Sequence, residues 1–313
     1  MLLATALFSL MAVCVRVAAR HVPWSEVAAA RAGVGALVTL IVARLYGSTL
    51  RVKNRRAIWG RSISGTIANG CTFFALSAPA IAVGDVATLR GTAPICIAAL
   101  GALVLKERGG RRVVLAVPVA FAGVLVLVQP QFAVSGTLAL IALAGALFSA
   151  LAMLLIRYAG PTESPEAIAF HFSVVAAVTM TLVSLPGFVA PDLEGALWLT
   201  AAGLLGGVAQ LAVTRAFSAE KAARVGAISY FGIVLTQWLG VVALGEPIAA
   251  HQVLGSSLVV AAGLILTAAA VRDARRRARV IASASGQAAC SEPVSSVAKN
   301  DRVSSATSSG VSS

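Results

Sequence analysis

Apolar stretches of about 20 residues recur along this chain from its first residues to about position 271, each separated from the next by a short break carrying Pro, Gly or charge. A helix rising about 1.5 Å per residue needs that length to cross roughly 30 Å of hydrocarbon, where backbone polar groups must bond within the segment. The stretches run approximately over 2–20, 25–46, 60–79, 84–105, 111–129, 136–157, 165–188, 193–215, 222–244 and 249–271. They predict an all-α integral membrane protein with ten transmembrane helices. Composition agrees: 58% of the 313 residues are apolar and 12% charged, about half the charge of an ordinary soluble domain, and mean hydropathy is +0.90. The first stretch has no basic leader and no small-residue cleavage site before a soluble domain, so it reads as a retained helix.

The distribution of Lys and Arg between the stretches sets the expected orientation, because cytoplasmic loops carry the excess. Arg51, Lys53, Arg55 and Arg56 follow span two, Lys106, Arg108, Arg111 and Arg112 follow span four, and Lys221 and Arg224 follow span eight. The opposite loops around 79–83, 129–135, 187–191 and 245–250 contain neither. Both termini are therefore expected to be cytoplasmic. After span ten come Arg272–Arg279, RDARRRAR, and a Ser/Ala-rich segment with little to bury, expected to be a disordered cytoplasmic tail over 272–313. The formal charge of +13 sits mostly beside the membrane, where anionic lipid headgroups account for it, so membrane lipids rather than nucleic acid are the expected partner. Cys14, Cys71, Cys96 and Cys290 show no ligand or disulfide spacing.

The chain also repeats itself. Glu26 and Arg31 in SEVAAAR recur 140 residues later as Glu166 and His171 in PEAIAFH. Arg16 has its counterpart in Arg157, Gly123 in Gly263, and ALVLKE ending at Glu107 parallels VVALGE ending at Glu246. Each half holds five spans, and an odd number makes the second half enter the membrane inverted. The expected organisation is one five-helix repeat over 1–134 and an inverted one over 135–271. Secondary transporters recurrently have this build, with the solute site near the midplane between the halves.

The residues that carry a family resemblance are Arg16 before the Pro23 turn, Arg31, TAPICIAALGALVLKE with Pro94 and Glu107, GVLVLV from Gly123, and VGAISYFGIVLTQWLGVVALGE ending at Glu246. Through them the chain resembles the EamA branch of the drug/metabolite transporter superfamily over residues 1–271. The resemblance implies ten spans in two five-helix repeats. It also implies transport of small organic metabolites: amino acids and derivatives, opine-type metallophores, riboflavin, S-adenosylmethionine or nucleosides. Export is the commoner direction in the family, with vitamin or nucleoside-like uptake the alternative. The expected location is a bacterial inner membrane. The chain departs from the family at Arg90, where a neutral residue is usual, and at Ile233, which replaces a second copy of Pro94.

Intramembrane ionisable residues are costly and are functional candidates by default. Arg31 reads as a cation facing the pathway, as one snorkelling to the outer interface, or as a structural pair with Glu26, though five residues of helix turn the two side chains apart. Arg90 reads the same way, with Asp85 as its structural alternative. His171 is either a hydrogen-bonding residue or a proton-coupling switch. Asn69, Gln210, Tyr230, Gln237 and Trp238 are further pathway candidates, their alternative being hydrogen bonds between helices. Pro94 bends span four. Glu107, Glu246, Arg16 and Arg157 are structural or gating candidates. Two deep arginines favour a carboxylate-bearing or otherwise anionic solute. No Walker A, HExxH or GxSxG pattern or paired metal ligands occur, so neither an enzyme nor a resident metal or cofactor is expected. The rival from another class is a non-transporting membrane scaffold or sensor, and convergence of Arg31, Arg90, Asn69 and Gln210 on one cavity separates the two.

Overall fold

The computed structural model describes residues 1–93, 95–96, 118–119, 122–126, 134–219, 229–265, 268 and 272, and no strand occurs among them. The principal helices are α1 (Leu2–Ala18), α2 (Trp24–Leu45), α3 (Arg55–Ser77), α4 (Val83–Arg90), α5 (Val134–Ala159), α6 (Pro165–Ser184, continued by a 3-10 turn Leu185–Gly187), α7 (Leu193–Ala219) and α8 (Phe231–Leu244). A further helix, α9, spans Ala250–Ile265. Among the described residues, α2, α5, α6 with its 3-10 turn and α7 are long and apolar enough to cross a membrane, while α1, α8 and α9 are shorter apolar helices. The helix α3 is longer, 23 residues, but carries Arg55, Arg56 and Arg61. Most of the expected fifth span and the second part of the fourth, with Pro94 and Glu107, lie outside the described residues.

Helix ends follow local chemistry. Asn54 caps α3 by accepting the Ala57 N–H at 3.2 Å, and Ser164 caps α6 by accepting the Ala167 N–H at 3.1 Å, with Pro165 in the first turn. These side chains satisfy donors that have no partner inside the helix. Gly245 ends α8 in the left-handed region, φ +66°, and the Glu246 N–H returns to the Gly240 carbonyl at 3.1 Å. A β-carbon would strain that turn.

Small residues set the helix crossings. A Cβ on Gly207 of α7 would stand 2.9 Å from the Gly35 Cα of α2, and one on Gly84 of α4 would stand 2.9 Å from the Gln237 Cα of α8. Backbones approach this closely only where the side chain is absent, the arrangement that lets packing replace the missing hydrophobic drive in lipid.

The principal pairings come in related sets: α3 with α5 and α1 with α7, α2 with α7 and α3 with α6, α1 with α8 and α4 with α5. The remaining close pairs, α2 with α6 and α4 with α8, join helices of like rank in the two halves. Exchanging α1–α4 for α5–α8 thus maps this contact pattern onto itself. Loops also bond in two separate groups. His21 and Glu26 meet the segment before α7 through Asp192 and Val189, whereas Lys53, Asn54, Leu50 and Thr49 meet Glu163, His171 and Ser164 at the other ends of α2 and α6.

Candidate functional site

A cavity of about 170 Å³ lies among α1, α3, α4, α5, α7 and α8. Thr5, Ser9, Thr72 and Thr236 contribute hydroxyls to its wall, Met11, Phe8 and Phe217 contribute apolar surface, and Arg90 contributes the charge. The hydroxyls are already engaged: Thr236 Oγ1 donates to Ser9 Oγ at 2.8 Å, and Thr72 Oγ1 donates to the Ala68 carbonyl at 2.7 Å. The wall group with an unused buried donor among the described residues is the Arg90 guanidinium.

Arg90 is the last residue of α4. Its Nε is buried with no hydrogen-bond partner, and none of the described acids forms an ion pair with it. Asp85, the acid one and a half turns earlier, accepts instead from Gln252 Nε2 at 2.6 Å. The Gln237 amide bonds the Ser256 hydroxyl, which also meets Thr88 Oγ1 at 3.1 Å. These contacts tie α4, α8 and α9 together and leave Arg90 unpaired among the described residues.

Arg31 is 2% exposed within α2. Its Nη2 donates to the Gly206 carbonyl at 3.3 Å and to Gln210 Oε1 at 3.4 Å, both long for a charged donor, and its Nε has no partner. Glu26 is occupied elsewhere: its Oε1 accepts the Val189 N–H at 2.7 Å. The structure thus joins Arg31 to Gln210, from the second half, rather than to the acid beside it in sequence. Gly206 makes the fit possible, since a Cβ there would stand 2.7 Å from Arg31 Nε and 2.8 Å from Met11 Sδ.

The other sequence candidates scatter. His171 is half-buried, with Nε2 at 3.3 Å from the Leu50 carbonyl and its ring edge-on to Phe170, and it is not part of the cavity lining. Glu166, about one and a half turns before it, accepts from Arg215 Nε and Nη2 at 2.9 and 2.7 Å. Asn69 is half-buried on α3. Tyr230 is 2% exposed with its hydroxyl unpartnered, while Trp238 is 57% exposed and turned outward. Arg16 and Glu246 meet at 3.4 Å; Arg16 also donates to the Ala78 and Ile81 carbonyls, and Glu246 accepts the Val83 N–H at 2.9 Å. That cluster fixes the turn from α3 into α4. Arg157 is exposed near the end of α5.

With this geometry in view, comparison with known proteins places the chain. A family model described as the EamA-like transporter family matches residues 1–129 and again 136–268. The chain belongs to the EamA-like transporter family. It is similar to the pseudopaline exporter CntI of Pseudomonas aeruginosa, from strain UCBPP-PA14 and equally from strain PAO1. Identity to each is 30% over 271 residues, covering 85% of this chain and 93% of that protein. A solved crystal structure 22% identical to it, covering 86% of this chain and 96% of its own, superposes with a TM-score of 0.66, which shows a shared fold.

In this EamA-like transporter one buried cation escapes a reading of the sequence. Arg61 is 4% exposed on α3, with its guanidinium carbon 3.9 Å from the centroid of the Phe172 ring; Arg31 stands 5.9 Å from the same centroid. Arg61 Nε and Nη1 have no partner, nor do the buried hydroxyls of Ser62 and Thr66. Beside Arg55 and Arg56, Arg61 reads as one more membrane-flanking cation. The signal that finds it is the Asn54 cap, which starts the helix at Arg55 and carries Arg61 nearly two turns inward.

Proposed function

We propose that this protein is a secondary transporter that exports a small carboxylate-bearing metabolite across the cytoplasmic membrane. Ten helices form two inverted five-helix repeats, both termini face the cytoplasm, and the halves rock about a site between them. The solute belongs to the amino acid derivatives or opine-type metallophores. The observation that carries this reading is Arg90, unpaired among the described residues, in the wall of a cavity built from helices of both halves. A guanidinium in that setting costs roughly 2.5–3.5 kcal/mol on insertion scales, and a solute carboxylate returns part of that cost by a charge-assisted, bidentate bond. The pairing pattern that survives exchange of the halves supports the inverted repeat, and the similarity to a pseudopaline exporter supports export of a small metabolite.

Purified protein in liposomes tests it. Labelled amino acid derivatives and opine-type carboxylates are loaded on one side, with and without an imposed proton gradient. Protein-dependent flux of at least one carboxylate solute, and none of its neutral amide, is the expected result. Absence of flux for every solute under every gradient removes the transporter reading.

A further inference from the structure

Arg31 and Arg61 are held in a way that packing alone does not explain. A buried guanidinium has three sources of compensation: an acid, neutral acceptors, or an aromatic face. Among the described residues no acid forms an ion pair with either side chain. Neutral acceptors reach only one nitrogen of Arg31, at 3.3 and 3.4 Å. The Phe172 face attracts both cations but accepts none of the five N–H bonds that each guanidinium offers. Each charge also feels another of the same sign, since Arg61 lies within electrostatic reach of Arg31, and Arg31 of Arg90. If the position needed only bulk, Met or Leu would supply it without burying charge.

Further buried donors on α3 also lack acceptors among the described residues. On the same helix as Arg61, Ser62 and Thr66 carry buried hydroxyls with no partner among the described residues, although a helical Ser or Thr can donate to the carbonyl four residues back. Gly65 leaves the space the Arg61 guanidinium occupies, because a Cβ there would stand 2.1 Å from Nη1. Met11 lines the cavity that holds Arg90 and also stands beside Arg31 at Gly206. Its unbranched thioether has three rotatable bonds, so the side chain that stands between Arg31 and the cavity is an adaptable one.

Resting on the transporter reading above, we infer that Arg61 and Arg31, beside Phe172, form an oxyanion subsite behind Met11. It takes one charged end of a solute bearing at least two anionic groups, whose other end stands against Arg90 in the cavity. The solute class is thereby narrowed from carboxylates in general to di- or polyanions.

The test is binding by the full chain in phosphatidylcholine nanodiscs, read by calorimetry with citrate, glutarate, acetate and inorganic phosphate as probes. Citrate is expected to bind at least tenfold more tightly than acetate. Arg61→Met is expected to weaken citrate at least tenfold and leave acetate unchanged. Wild-type citrate affinity in Arg61→Met, or citrate no tighter than acetate in the unaltered protein, overturns the subsite. If Arg61→Met does not fold, Arg61→Lys decides: it keeps the charge and loses the planar fork, so a fall in citrate affinity supports the subsite and wild-type affinity overturns it. Phosphate binding as tightly as citrate, and weakened by the same substitution, supports the subsite with a phosphate-bearing solute. Citrate binding abolished by phosphatidylglycerol in the nanodisc assigns the anion to a lipid headgroup and overturns the solute. Citrate binding that depends on Arg61 in a protein that moves nothing in liposomes keeps the subsite and removes transport. Flux with unaltered citrate affinity in Arg61→Met does the reverse.

Discussion

Replacing Gly65 by Ala probes the placement of Arg61 through a change of sign. On an unobstructed helix face, Gly→Ala stabilises by about 1 kcal/mol. Here the added Cβ would stand 2.1 Å from Arg61 Nη1 and 2.8 and 3.0 Å from the ring of Phe172, itself 1% exposed. The guanidinium is the flexible neighbour and must leave the ring, losing a desolvated cation–π contact of about 2 kcal/mol. Crowding against the fixed ring adds about 1–3 kcal/mol of overpacking. Set against the propensity gain, the net expectation is a loss of roughly 2–4 kcal/mol. Reversible unfolding in mixed detergent micelles measures it, with Gly65→Ala, Arg61→Ala and the double variant forming a cycle. Because the clash is with Arg61 itself, the two substitutions should be coupled by more than about 1 kcal/mol. A stabilised Gly65→Ala, or strictly additive effects, would refute the stacked placement.

Three further expectations rest on other contacts. Glu246→Ala should cost about 3 kcal/mol in the same assay, because it leaves Arg16 without its acid, while Glu246→Gln, which retains an acceptor for the Val83 N–H, should cost less. Arg215→Met strands the buried Glu166 carboxylate and removes a cation from the Tyr46 ring, so it should destabilise more than the double variant Glu166→Gln/Arg215→Met, in which no charge is left alone. The Asp192 carboxyl, before α7, is held below its usual range chiefly by the Gly195 N–H and secondarily by His21. A depressed folded-state value contributes stability that is present above the unfolded value and lost as pH falls through the folded one. Hydrogen exchange at the Gly195 amide should therefore show protection at neutral pH that declines in acid below about pH 4, and Asp192→Asn should flatten that decline.

Much of the fold was legible because bilayer thickness imposes one length on every spanning helix, and because halves that resemble each other leave an offset of 140 between Glu26 and Glu166. The family resemblance rested on motifs, TAPICIAALGALVLKE and VGAISYFGIVLTQWLGVVALGE among them, and the family model that matches 1–129 and 136–268 bears it out. The site was less legible, for reasons of rotational phase and partner choice. The distance between Arg31 and Gln210 in sequence hides a contact that depends on how α2 and α7 cross at Gly35 and Gly207. Arg31 and His171 hold equivalent positions, yet Arg31 meets α7 and His171 meets the loop after α2. The span-nine polar set divides because successive residues point about 100° apart, sending Thr236 to the cavity, Gln237 to Ser256 and Trp238 outward. Arg61 was hidden by its basic neighbours, and only the start of its helix reveals its depth.

On the proposed mechanism, arginines that pair with none of the described acids meet an anionic solute on its way through the protein. Flux of the transported carboxylate in liposomes is compared for the unaltered protein and Arg90→Met, with reconstituted amount and melting temperature matched. At least a tenfold loss of flux in a variant that reconstitutes and melts normally is the predicted result. Undiminished flux in Arg90→Met would contradict the claim.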